Sequence, residues 1–251
     1  MTHVDDLGTP APPAAPRRVV SLVPSLTEAV AMNASGLLVG ATDYCTHPPE
    51  LDVARVGGTK WPSIDRILAA RPDLVLANAE ENRREDVGAL REAGVNVWVT
   101  YPRTLDEAFG SLTRMFAAFD VATPAWLAAA RAVWAPPPAR RYGRRAVIPV
   151  WRRPWVVLGS GTFAGDVLAR LGVVNAFADA AERYPRPSLD SILDLGPDLV
   201  VLPDEPYAFS SSDGPECFPG VPCALVSGRH LTWYGPSLVE ARAVLERQLA
   251  V

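Results

Sequence analysis

The residues best suited to chemistry in this chain are rings and charges that fall where strands are predicted to end. In chain order they are Tyr44, Trp61, the run Glu80-Glu81-Asn82-Arg83-Arg84-Glu85-Asp86, Trp151-Arg152, Trp155, Phe163, Tyr184, Tyr207, Phe209 and Trp233-Tyr234. Open parallel sheets take their ligands outside the carboxyl ends of the strands. Aromatic rings offer wide apolar faces at small entropic cost, which suits a flat, rigid ligand, and Glu81, Asn82, Arg83 and Arg152 could hold its polar substituents. Any one of these rings also reads as core packing. Trp98, Trp126 and Trp134 lie inside regular elements and are expected in the core.

Catalytic patterns are sparse. Gly159-Ser160-Gly161-Thr162-Phe163-Ala164-Gly165 follows a strand and opens a helix, as a phosphate loop would. Its spacing is one residue off the dinucleotide fingerprint, and it lacks the lysine of a nucleotide P-loop. There is no G-x-S-x-G elbow. The histidines are His3, His47 and His230 alone, so Cys45-Thr46-His47 has no neighbour in sequence to complete a metal site. Glu80, Glu81, Glu85 and Asp86 would suit a hard cation or a general base, and equally a solvated helix start.

The elements that must position these residues show an internal repeat. Pro62-Ser63-Ile64-Asp65-Arg66-Ile67-Leu68 runs on to Pro72-Asp73-Leu74-Val75, and Pro187-Ser188-Leu189-Asp190-Ser191-Ile192-Leu193 runs on to Pro197-Asp198-Leu199-Val200 in the same register. In each copy Ser is placed to cap a helix, Asp sits at its positive end, Pro stops it and the Leu-Val run starts a parallel strand. Arg18 to Leu22 reads as a first strand, and Ser25-Leu26-Thr27-Glu28 as a capping box. Leu37 to Ala41 and Val95 to Val99 read as further strands. Leu105 to Phe119 and Thr123 to Trp134 are helical, and Pro136-Pro137-Pro138 and a basic turn at Arg140, Arg141, Arg144 and Arg145 follow. Ala146 to Val150, Val156 to Leu158 and Val221 to Val226 are predicted strands, with helices over Phe163 to Leu171 and Ser237 to Leu249. The β-α-β succession predicts α/β architecture with helix-covered parallel sheets.

At 251 residues, 49% apolar and 21% charged, the chain can bury a substantial core. A net charge of −4 argues against a nucleic-acid surface. Cys45, Cys217 and Cys223 form no disulfide framework and no C-x-x-C site, which predicts free thiols in a reducing compartment. No run reaches membrane-spanning length. The N-terminal stretch, with Asp5 and Asp6 ahead of a Pro/Ala tract, lacks the basic start and apolar core of a secretion signal. As read, it predicts a cytoplasmic protein with a disordered tail over residues 1–17, or an extracytoplasmic one if an export signal was omitted.

From residue 18 onward the chain resembles the helical-backbone metal-receptor (class III periplasmic-binding-protein-like) family, nearest the vitamin B12-binding substrate-binding proteins. The resemblance rests on Arg18-Val-Val-Ser-Leu-Val-Pro-Ser-Leu-Thr-Glu28, Val39-Gly-Ala-Thr-Asp-Tyr-Cys-Thr-His-Pro-Pro-Glu50, Gly57-Gly-Thr-Lys60 and both P-D-L-V stretches. It implies two Rossmann-like lobes with parallel sheets, residues 18–103 and 141–251, joined by a helical connector over 104–140 with the ligand cleft between lobes. It implies a non-enzymatic binding protein for a cobalamin-like corrinoid or other metal chelate, held as ligand and not as a prosthetic group, with no side-chain metal site assigned. Tyr44, Trp61, Phe163 and Tyr184 match or stand near the family's aromatic contacts. Asp65 and Asp190 stand where its B12 members dock onto an ABC permease. Glu81, Asn82, Arg83, Trp151, Arg152, Tyr207, Trp233 and Tyr234 complete the expected ligand surface. Two other readings remain open: a cytoplasmic carrier or sensor of the same ligands, and a metal-dependent enzyme using the Glu80 to Asp86 run with Cys45 or His47.

Overall fold

The computed structural model describes residues 3–136 and 143–251. They form two compact units: Met1–Pro102, Asp106–Ala128 and Tyr234–Pro236 in the first, and Arg103–Leu105, Ala129–Trp233 and Ser237–Val251 in the second. No helix among the described residues is long and apolar enough to cross a membrane.

The first unit is built on β1 (Val19–Ser21), β2 (Leu38–Ala41), β3 (Ala54–Arg55), β4 (Leu74–Asn78) and β5 (Asn96–Thr100). They pair in the order β3-β2-β1-β4-β5, every pair parallel. The connections run through α1 (Pro24–Ala34), α2 (Ile64–Ala69) and α3 (Arg84–Glu92). Val20, Leu22, Val56, Ile67, Val75, Leu90, Val97 and Val99 make a continuous buried cluster, because parallel strands covered by helices must be apolar on both faces.

Both copies of the repeat do the same physical work. Ser63 Oγ accepts the Arg66 amide at 3.4 Å and Ser188 Oγ accepts the Ser191 amide at 3.1 Å, each satisfying an orphan donor of its helix. The Pro-Asp join adds a role not apparent in the pattern. The Asp73 carboxylate accepts the amides of Arg17 (2.8 Å) and Arg18 (3.0 Å) as the chain enters β1, and Asp198 accepts the Arg145 amide at 2.9 Å at the start of its own neighbouring strand. The aspartate thus pins one strand's entrance to the next.

Two expectations for the first unit are corrected. The Ser25–Glu28 capping box does not form: α1 starts at Pro24, Val23 is the N-cap, and no side chain caps the helix. Proline suits that first position, where the missing N–H would have had no partner. Nor is the 1–17 tail disordered over its described residues. Asp5 is buried, and its carboxylate accepts the amides of Leu7 (2.9 Å), Thr9 (2.7 Å) and Val99 (3.0 Å). Asp6 donates its amide to the Val99 carbonyl at 3.1 Å, accepts the Tyr101 amide at 2.7 Å and pairs with Arg114 at 2.6 Å. An edge strand exposes a row of unpaired backbone groups, and this acidic pair answers the row along β5.

In the second unit β6 (Arg145–Val147), β9 (Val174–Asn175), β10 (Leu199–Pro203) and β11 (Cys223–Val226) pair in the order β11-β10-β6-β9, again all parallel. The expected single strand from Ala146 to Val150 is broken at Ile148. Its far part, β7 (Pro149–Trp151), turns away to pair antiparallel with β8 (Val156–Val157). Proline has no N–H to give a ladder, and here Pro149 opens the hairpin's first strand. Helices α6 (Phe163–Arg170), α7 (Leu189–Asp194), α8 (Gly228–Thr232) and α9 (Leu238–Gln248) complete the unit. Its core gathers Val147, Val157, Ile192, Val200, Leu202, Phe209 and Phe218. Between the sheets in sequence lie α4 (Leu105–Ala118) and α5 (Ala125–Trp134), and the division between units falls inside α5. Of the expected basic turn, Arg140 and Arg141 lie outside the described residues; Arg144 donates to the Val251 carbonyl at 2.6 Å.

Candidate functional site

In the first unit the residues of interest stand on three loops that follow strands. After β2, Tyr44 is 66% exposed. After β3, Gly57 takes φ +93°, a backbone shape that favours glycine, and a Cβ there would crowd the Ser63 amide and the Trp61 carbonyl. That turn delivers Trp61 to the surface, 72% exposed. After β4, Asn78 organises the acidic loop: its Oδ1 accepts the amides of Glu80 (2.8 Å) and Glu81 (3.1 Å). Sequence reasoning missed Asn78, because nothing in an Asn at a strand end marks it as a hub.

The charged run divides by function. Arg83 forms a two-pronged ion pair with buried Asp86 (2.8 and 2.6 Å) and lays its guanidinium over the Trp61 ring, 3.8 Å from the centroid. Lys60 Nζ donates to the Glu80 carbonyl at 2.5 Å. Asn82, an expected ligand contact, is buried, accepts the Asn78 amide at 2.8 Å and donates to the Thr59 carbonyl at 3.0 Å, tying the loop after β3 to the loop after β4. A buried amide whose donors and acceptor are paired inside the chain is scaffold. The same holds for Tyr234. It is buried, and its hydroxyl lies 2.7 Å from Asn78 Nδ2 and 2.8 Å from Thr100 Oγ1.

Cys45 does not join a metal centre with the acidic loop. It is fully buried, its Sγ is 3.0 Å from Thr27 Oγ1 and 3.2 Å from Thr42 Oγ1, and burial pushes its thiol pKa up. Among the described residues no cluster of three His, Cys, Asp or Glu side chains could hold a metal ion.

In the second unit β7 ends on Trp151, which is 45% exposed and meets Tyr207 edge-on at 5.5 Å. Arg152 next to it is held by Asp213, by Glu216 at 2.6 Å and by Cys217 Sγ at 3.2 Å. Tyr207 donates to Asp213 at 2.7 Å and packs on Phe209 at 4.6 Å. Trp155 stacks on Phe209 at 6.2 Å with planes 5° apart and meets Phe218 edge-on at 5.5 Å. The cluster is therefore core at its base and accessible at Trp151. Tyr184 also reaches solvent. Two further expected contacts lie deeper: Phe163 is buried at the start of α6, and Trp233 is buried with Nε1 donating to Glu205 Oε2 at 3.1 Å. An indole N–H taken out of water needs such an acceptor.

The glycine-rich loop borders a cavity of about 650 Å³ lined by Arg103, Thr104, Ser160, Asp166 and Asn175 among others. Polar groups of the loop and of α6 are engaged within the chain: Thr162 caps α6 through the Gly165 amide (3.2 Å), Ser160 donates to the Ala180 carbonyl (2.9 Å) and Asp166 of α6 accepts the Leu105 amide (2.9 Å). Gly159 is needed because a Cβ there would collide with the Glu182 carbonyl oxygen. Asp65 and Asp190 stand exposed in the first turns of α2 and α7.

Comparison with known proteins follows the same lines. No family model matches the chain. A vitamin B12-binding protein of Vibrio cholerae serotype O1 is 28% identical over 202 residues, covering 76% of this chain and 72% of its own. One from Salmonella typhi is 28% identical over 210 residues, covering 75% of this chain and 73% of its own. Among solved structures, the periplasmic vitamin B12-binding protein of Vibrio cholerae superposes with a TM-score of 0.72 at 23% identity, over 93% of this chain and 96% of that one. A periplasmic haem-binding protein in complex with two haems gives 0.72 at 24% identity, over 94% and 98% of the two chains. At these identities the solved structures establish a common fold. Both of those neighbours are periplasmic proteins.

Proposed function

We propose that this chain, a member of the class III periplasmic-binding-protein-like family, is an extracytoplasmic receptor for a cobalamin-like corrinoid or related metal chelate. It is a ligand-binding protein and not an enzyme, as are the relatives described above. The observation that carries the corrinoid reading is the 28% identity over 202 residues to a vitamin B12-binding protein. The surface is compatible with it. Tyr44 and Trp61 in the first unit, and Trp151 and Tyr184 in the second, keep apolar area in water that a ligand could cover.

In this reading those four rings are the contacts, with Glu81 and Tyr207 beside them. Arg83, stacked on Trp61, and Arg152 are the cations nearest to hand for the ligand's polar groups. Residues 18–103 and 141–251 form the two ligand-bearing lobes and 104–140 the connector. Asp65 and Asp190, one on each lobe, offer paired acidic helix starts to the arginines of an ABC permease. The test is titration of the purified chain with cobalamin, dicyanocobinamide and haemin, followed by desalting and visible absorbance. Retention of about one equivalent of colour is expected for at least one of the three. Loss of all colour on desalting would remove the reading.

A further inference from the structure

The first sheet ends at β5, and its outer edge is answered by side chains in place of a strand. Residues 3–11 form a hairpin. Val4 bridges Pro10 antiparallel, Asp5 donates its amide to the Thr9 carbonyl at 2.9 Å, and Ala11 donates to the His3 carbonyl at 2.8 Å. The hairpin lies against β5. Asp5 Oδ2 accepts the Val99 amide (3.0 Å), Asp6 donates its amide to the Val99 carbonyl (3.1 Å), and Asp6 Oδ2 accepts the Tyr101 amide (2.7 Å). Arg91 Nη2 donates to the Val97 carbonyl at 3.4 Å. The same arginine stands 4.0 Å from Asp5 and donates to Thr9 Oγ1 at 3.3 Å, while Arg114 pairs with Asp6 at 2.6 Å. The aliphatic side chains of the hairpin, Val4 and Leu7, are exposed, so its hold on the edge falls mainly to the two carboxylates.

The strand beneath is suited to pair with itself. It reads Asn96-Val97-Trp98-Val99-Thr100, uncharged, without proline or glycine, and rich in β-branched and aromatic residues. An open edge of that composition readily takes up another strand. The contacts above show Val97 and Val99 turning backbone groups outward. A two-fold antiparallel pairing centred on Trp98 sets Val97 opposite Val99 of a second copy. In that register each outward pair exchanges both of its hydrogen bonds. Asn96 then meets Thr100, so no like charges oppose the contact. We propose that the N-terminal hairpin is an intramolecular guard of the β5 edge, and that a second copy of this chain is the partner it keeps away. Opening the hairpin uncovers a dimerisation surface, and the contact, being isologous, closes at two subunits. The proposal does not depend on the receptor reading.

The experiment follows mass against concentration by analytical ultracentrifugation. It compares the full chain, the double variant Asp5→Ala with Asp6→Ala, and that pair with Asn96→Lys added. Wild type is expected to sediment as a monomer throughout. The mass of the double variant should double as its concentration is raised. Asn96 is exposed, so its replacement spares the core, and a lysine on the edge should return the protein to monomer. Hydrogen exchange at the Val99 amide is the second readout. In the double variant it should be faster than wild type in dilute solution and slow again on concentration, which destabilisation alone would not produce. A folded double variant that stays monomeric overturns the proposal, as does a wild-type chain that already dimerises. Association untouched by Asn96→Lys also overturns it, by placing the contact elsewhere. If the double variant does not fold, Asp5→Ala alone carries the test. Either unchanged exchange at Val99, or faster exchange without association, then rules the guard out.

Discussion

The hydroxyl of Tyr234 sits 2.7 Å from the side-chain nitrogen of Asn78, so a residue near the C-terminus completes a site begun at the end of β4. Burial first, and the nearby Glu81 charge second, push the Tyr234 pKa far above the usual phenol range, although its hydrogen bonds to Thr100 and Asn78 pull the other way. The sign follows from linkage. A group whose folded pKa is raised contributes stability that is intact below its unfolded value, near ~10, and is lost as pH rises beyond it. Stability measured by urea unfolding is expected to decline above pH ~10 and to decline less steeply in Tyr234→Phe. At neutral pH that variant should be weaker by about 1–3 kcal/mol, because Asn78 and Thr100 lose a buried partner. Equal slopes for the two proteins above pH ~10 would rule out this account of Tyr234.

Asp5 gives a second expectation. Its carboxylate takes three backbone amides, one of them from Val99 on the sheet edge. Hydrogen bonds to an ionised group contribute about 1.5–3 kcal/mol, so Asp5→Ala should destabilise by roughly that amount and speed hydrogen exchange at Val99 and Tyr101. Unchanged exchange at both amides would show that the segment does not protect β5 in solution.

The repeated caps are small and separate effects. Ser63→Ala and Ser188→Ala should each cost about 1 kcal/mol, and the double variant about the sum, since the two helices belong to different units. A double variant no less stable than either single one would contradict this.

Thiol reactivity distinguishes the cysteines. Cys45 is buried under Thr27 and Thr42, while Cys217 and Cys223 are partly exposed. Burial raises all three thiol pKa values, so labelling with a disulfide reagent at neutral pH should be slow. Two equivalents are expected from the folded chain and the third only on denaturation. Three equivalents from the folded protein would place Cys45 within reach of solvent.

The proposed docking role of Asp65 and Asp190 separates from ligand binding. Asp65→Arg with Asp190→Arg should leave chelate affinity unchanged, because both residues lie in exposed helix starts. Uptake through the partner permease should fall at least tenfold, since like charges across an interface repel. Normal uptake by the double variant would assign the two aspartates to their helices alone.

Much of the architecture was readable from local chemistry. Ser63 and Ser188 announced their helices because an N-cap is a contact among neighbours in sequence. Val75 and Val200 announced buried parallel strands because an apolar run after a helix stop has few other uses. What the sequence could not settle is which polar and aromatic side chains face inward, since that depends on partners far along the chain. Asn82, Trp233 and Tyr234 look like surface chemistry until Thr59, Glu205 and Asn78 are brought beside them. Asp5 looks like part of a loose tail until the Val99 amide meets it. Trp61 and Arg83, 22 positions apart in the chain, become one object only when two loops after parallel strands are set side by side. Residue types and spacing determined the elements; tertiary packing alone decided which of the candidate residues were left facing water.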